Sequence, residues 1–111
     1  MRLLVTGSRD WTDAAAIRAA LLDHGPGVGV HGGARGADAL AGAIAAELGW
    51  PVEVHPADWA AHGRKAGHLR NQAMIDLGAD VCLAFPTPTS RGTWDCVRRA
   101  TAARIRVVIH R

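Results

Sequence analysis

The sequence predicts an α/β fold: a mostly parallel sheet covered by helices on both faces. Three observations carry that expectation. Short apolar runs of strand length recur at residues 2–6, 28–31, 51–55, 81–85 and 105–110. The segments between them carry apolar residues at helical spacing. Glycine or proline marks nearly every junction. Strands alternating with helices in the order βαβαβαβαβ imply parallel pairing, because each return to the same sheet edge needs a crossover. The 111 residues suit one domain, 1–111, of about five strands.

The first run, "RLLVT" at Arg2–Thr6, reads as a buried strand ended by Gly7. Thr12 or Asp13 is placed to cap a helix running to about Asp23, with Ile17, Ala20, Leu21 and His24 on one face. Gly25-Pro26-Gly27 breaks the chain before the second strand, "VGVH". A loop, Gly32–Gly36, leads to a helix over Ala37–Leu48, where Leu40, Ile44 and Leu48 recur every fourth residue; Gly49 can end it. "PVEVH" (51–55) is the third strand and Pro56–Lys65 a polar loop. A helix is expected over Ala66–Leu77, with Leu69, Ala73 and Leu77 on its inner face and Gly78 at its end. "VCLAF" (81–85) is the fourth strand. A proline-rich loop reaches Gly92, then a helix from Thr93 to about Ala103, then "IRVVIH" (105–110) as the last strand. Right-handed crossovers make this a Rossmann-like doubly wound sandwich.

Hydrophobic residues form 49% of the chain, which excludes a disordered composition. The N-terminal apolar run is too short for a signal-peptide core, and nothing approaches a membrane span. Cys82 and Cys96 fit no zinc spacing and make no disulfide framework, so a reducing cytoplasm is the expected compartment. Net charge is only +3, but twelve of the thirteen basic residues are arginine, the side chain suited to forked contacts with phosphate or carboxylate. The six histidines lack HxH or HExxH spacing, so no metal site is expected.

In doubly wound sheets, ligands bind at the carboxyl ends of the strands. Here those ends carry Gly7-Ser8-Arg9-Asp10, then "HGGARGAD" at 31–38, then a loop with Asp58, Trp59, His62, Arg64 and Lys65, then Thr89-Ser90-Arg91-Gly92-Thr93. The second of these joins a strand to a helix N-terminus. The backbone N–H groups of Gly36, Ala37 and Asp38, aided by the helix dipole and an Arg35 fork, form an expected phosphate site. "SRGT" at 90–93 is a second loop of the same kind. Two such loops at one sheet edge suit a ligand with more than one anionic group, or a nucleotide held at two points. The usual cofactor fingerprints are missing. His31 stands where a dinucleotide loop has its first glycine, and no Gly-Lys-Ser/Thr ends the loop. Trp11, Trp59 and Trp94 each adjoin a site loop, where a ring can either pack or stack on a base. Trp50 reads as packing.

"VTGSRDW", "HGGARGAD", "HGRKAGHLRNQAM" and "SRGTWD" together resemble the YspA/YpsA-related branch of the SLOG superfamily, in order and spacing, over essentially the whole chain. The resemblance implies a nucleotide or nucleotide-derived phosphorylated ligand, and relatives often form dimers; no cofactor is expected. It implies ligand contacts from Gly7, Ser8 and Arg9, from Gly32, Gly33, Arg35, Gly36 and Asp38, from Arg70 and Asn71, and from Ser90, Gly92 and Thr93. Arg91 stands where the family usually has a glycine. Relatives include the Lonely Guy phosphoribohydrolases and the DNA-processing protein A family, which binds single-stranded DNA. Hydrolysis of a nucleoside monophosphate is therefore the alternative function, with Asp95 and Arg64 as the candidate catalytic residues. Nucleic-acid binding ranks below it, since the basic residues form no long stripe. In the hydrolase pattern a glutamate follows the threonine by three positions; that position is Cys96 here, and Asp95 precedes it by one residue, about 100° around a helix.

Overall fold

The computed structural model describes residues 1–111. The chain runs β1 (Arg2–Gly7), α1 (Ala14–His24), β2 (Val28–His31), α2 (Ala37–Glu47), β3 (Val52–Val54), α3 (Trp59–His62), a 3-10 turn (Gly63–Lys65), α4 (Ala66–Asp76), β4 (Val81–Phe85), α5 (Arg91–Ala102) and β5 (Arg106–Ile109). The sheet is wholly parallel, in the order β3-β2-β1-β4-β5. From β1 the chain winds outward to β3, returns to place β4 on the other side of β1, and ends at β5. That reversal makes the β1/β4 junction the switch point, where two loops diverge and leave a crevice.

Side chains alternate across a strand, and the two faces of the sheet carry separate cores. Leu3, Val5, Val81, Leu83 and Phe85 pack with Ile17 and Leu21 of α1 and Ala41 and Ile44 of α2. Leu4, Val30 and Cys82 face the other way, against Met74 and Ile75 of α4 and Cys96 and Ala100 of α5. All five residues of β4 are buried, as a central strand covered on both faces requires. No helix is long and apolar enough to cross a membrane.

Local chemistry sets the ends. Asp13, rather than Thr12, caps α1, its Oδ1 accepting the Ala16 N–H at 3.1 Å. Three expectations need correction. The segment 56–65 is not all loop: Asp58 caps a helical turn by accepting the Ala61 N–H at 3.0 Å, and the 3-10 turn follows. The last helix starts at Arg91, two residues before Thr93, so Gly92 lies within its first turn. The inner face of α4 is Ala66, Asn71, Met74 and Ile75, while Leu69 and Leu77 are 47% and 58% exposed. Apolar spacing selects the wrong stripe here because the buried stripe contains an asparagine whose polar atoms are all paired within the fold.

Candidate functional site

The carboxyl ends of β1 and β4 open into a cleft of about 280 Å³, lined almost wholly by polar residues and glycine; Ala34 and Met74 are its apolar members. Its floor is made by two backbones in direct contact. Gly36 has φ +76°, and a Cβ there would lie 2.4 Å from the Ser8 carbonyl oxygen. The Ala37 N–H donates to that same oxygen at 3.1 Å. A Cβ on Gly7 would lie 2.4 Å from the Ala37 Cβ. Glycine at 7 and 36 thus lets the end of β1 and the start of α2 touch.

Much of the Gly-rich loop is satisfied internally. The buried Asp38 carboxylate accepts the N–H groups of Gly32 at 3.1 Å and Ala34 at 3.3 Å. His31 Nδ1 accepts the Gly33 N–H at 3.0 Å, and burial holds this imidazole below its usual pKa, in keeping with a neutral acceptor. Arg70 Nη1 donates to the Gly32 carbonyl at 2.5 Å and the His55 carbonyl at 3.5 Å, and its Nε donates to Asn71 Oδ1 at 2.9 Å. Arg70 is therefore a clamp on the loop as well as a wall of the cleft. The N–H groups of Arg35, Gly36 and Asp38 are left without an acceptor; Ala37, expected to be free, is held by Ser8.

Hydroxyls tie the loop before α5 to the end of β1. Ser90 Oγ donates to the Thr87 carbonyl at 2.8 Å and accepts the Thr87 N–H at 2.9 Å. Thr87 Oγ1 donates to Ser8 Oγ at 3.2 Å, which also accepts the Asp10 N–H at 3.1 Å. At the start of α5 the N–H groups of Gly92 and Thr93 have no acceptor, and Thr93 lines the cleft. A Cβ on Gly92 would meet nothing within 4 Å. Asn71 anchors this turn: its Nδ2 donates to the Gly92 carbonyl at 3.2 Å and to Asp95 Oδ2 at 3.0 Å.

Thirteen residues were expected to bind the ligand. Gly7, Ser8, Arg9, Arg35, Asp38, Arg70, Asn71, Ser90, Gly92 and Thr93 line the cleft. Gly36 supports its floor, while Gly32 and Gly33 line an adjoining groove. The two candidate catalytic residues stand elsewhere. Arg64 is exposed on the 3-10 turn. Asp95 faces the α4–α5 seam, where it meets Asn71, Arg99 Nε at 2.9 Å and His68 Nδ1 at 2.9 Å. Burial pushes its carboxyl up, but the bonds from Arg99, Asn71 and His68 outweigh this and hold it at about 2. Thr6, Thr87 and Met74 line the cleft and were not singled out; a threonine at a strand end and another just after the β4 run were the available signals.

The tryptophans divide by role. Trp11 packs edge-on against Phe85, ring centroids 5.3 Å apart, and Trp50 packs on the core. Trp94 is half-buried with the Arg111 guanidinium 5.5 Å from its ring centre. Trp59 is 51% exposed and lines the adjoining groove.

Residues 1–62 match the family model described as YAcAr: YspA, cpYpsA-related SLOG family. The Gene 61 protein of Mycobacterium phage D29 is 50% identical over 117 aligned residues, covering 96% of this chain and 94% of that protein. No solved structure matches the chain. The matched region carries β1 to α3 with both halves of the cleft floor, and the chain belongs to the YspA, cpYpsA-related SLOG family.

Proposed function

We propose that the cleft binds a nucleotide or nucleotide-derived phosphorylated ligand, and that the protein acts as a sensor or sequestering module for it. One observation carries this reading. The starts of α2 and α5 converge on a single cleft at the switch point, with the N–H groups of Arg35, Gly36, Asp38, Gly92 and Thr93 unspent. Such N–H groups at helix N-termini attract anions. The exposed Arg9, Arg35 and Arg91 line the same cleft, and the nearest pairing among them, Arg35 Nη2 to Asp10 Oδ1, is loose at 3.9 Å. Calorimetry of the full chain against AMP, UMP and ribose 5-phosphate tests it. Binding is expected, weakened about 10-fold by Arg35→Ala, as loss of one charge-assisted contact implies. The salt dependence should be shallow, because a small ligand displaces few counterions. No heat with any phosphorylated compound would reject the reading.

Hydrolysis of an N-glycosidic bond is the second reading. It is favoured by Asp38, a carboxylate at the cleft that burial pushes up to about 6, near the range useful for proton transfer. On this reading Asp38, rather than Asp95, is the acidic group near the sugar. Release of free base and ribose 5-phosphate from AMP, lost in Asp38→Asn but kept in Asp95→Asn, would move the protein to the hydrolases.

A further inference from the structure

We infer that Trp59 is the stacking platform for the base of the nucleotide whose phosphate occupies the cleft. This rests on the phosphate reading above and adds to it the aromatic half of the ligand. The cleft alone, at about 280 Å³, lies at the lower limit of ordinary ligand pockets, enough for an anionic group and part of a sugar. It does not end there. An open groove of about 470 Å³ continues from it and shares Arg9, Ala34, Arg35 and Arg70 as a common wall. Trp59 lines that groove and not the cleft.

The ring is exposed yet held. Asp58 pins the turn that carries it, accepting the Ala61 N–H. The six-membered edge of the indole rests on α4 at Gly67, where an added Cβ would come within 3.5 Å of Cη2. The Arg9 guanidinium lies 6.0 Å from the ring centre and makes no hydrogen bond within the protein, so it can turn to a phosphate while a base takes the ring. Trp11, Trp50 and Trp94 are each more buried than exposed; Trp59 alone of the four is exposed, beside cations and free backbone donors. A flat aromatic group attached to an anion satisfies both features. A base stacks on any aromatic face with little regard to its identity, so this platform selects nucleotides over sugar phosphates and leaves the choice of base open.

The test compares AMP and UMP with ribose 5-phosphate by calorimetry on the wild type, Trp59→Ala and Trp59→Phe. Wild type should bind the nucleotides about 10-fold or more tighter than ribose 5-phosphate. Trp59→Ala should remove that advantage and leave ribose 5-phosphate affinity unchanged; Trp59→Phe should keep most of it. A second readout stays with the wild type. The indole N–H signal of Trp59, assigned by its disappearance in Trp59→Phe, should move on adding AMP and stay fixed on adding ribose 5-phosphate. Nucleotide binding that leaves this signal and the Trp59→Ala affinity unmoved overturns the inference and spares the phosphate reading. Equal loss for all three ligands in Trp59→Ala also overturns it, as that marks a structural role. Failure of every phosphorylated compound to bind removes both.

Discussion

The carboxylate of Asp38 accepts the backbone N–H of Gly32 at 3.1 Å, so the Gly-rich loop is wrapped around a buried anion. Burial pushes that carboxyl up to about 6, against the N–H groups of Ala34 and Gly32 and the positive charges of Arg70 and Arg9. The ordinary value is 3.8, so the folded chain holds more protons than the unfolded one between those limits. The stability owed to neutral Asp38 is therefore fully present below about pH 4 and lost as pH rises through about 6. The shift corresponds to about 3 kcal/mol at most. Thermal melts of wild type and Asp38→Asn from about pH 4.5 to 8 check this, since asparagine keeps one acceptor for the loop. The wild type should lose Tm relative to the variant across that range. A constant difference would show that the charge is compensated within the loop.

Glycine is needed at 36 and optional at 92 for the fold. Alanine at 36 faces a positive φ and a backbone oxygen 2.4 Å from its Cβ, so Gly36→Ala should cost about 2 kcal/mol or more. Gly92→Ala meets open space and replaces a helical glycine, so its stability should be unchanged or about 0.5 kcal/mol higher. Gly92 lines the cleft, so the added methyl group should narrow it and AMP affinity should fall about 10-fold. Urea denaturation and calorimetry on both variants check the pair. Full affinity in Gly92→Ala would move the ligand away from the start of α5.

The Asn71 amide bonds three groups at once: the Arg70 guanidinium, the Gly92 carbonyl and the Asp95 carboxylate. Asn71→Leu matches its bulk but leaves those groups short of a partner in a buried seam. A loss of roughly 2–4 kcal/mol is expected, read as a lower urea midpoint. A midpoint within error of wild type would mean that water replaces the amide.

The strands were legible in the sequence because an apolar run bounded by glycine is a local property. Residues 81–85 reached full burial as the composition of that run implied, and Gly32–Gly36 is the strand-to-helix loop that its residues described. Their parallel pairing followed from alternation of strands and helices, since each crossover leaves few ways to return; their order in the sheet, β3-β2-β1-β4-β5, came with the structure. The gathering of polar residues at one sheet edge followed from that parallel pairing, which puts every strand's carboxyl end on the same side. Only the tertiary structure decided how those residues share the work. Asp38 and Arg70 are acceptor and clamp for the loop because α2 and α4 bring them to it from six and thirty-eight residues away. Asp95 turns from the cleft to the seam because α4 crosses α5 there and supplies Asn71 and His68. The inner stripe of α4 runs through Asn71 rather than Leu69 for the same reason. A hydrophobic period can be counted along one segment, whereas the partner of a buried polar group is set by a second segment distant in the chain. Pairing of that kind becomes visible only when the helices are packed.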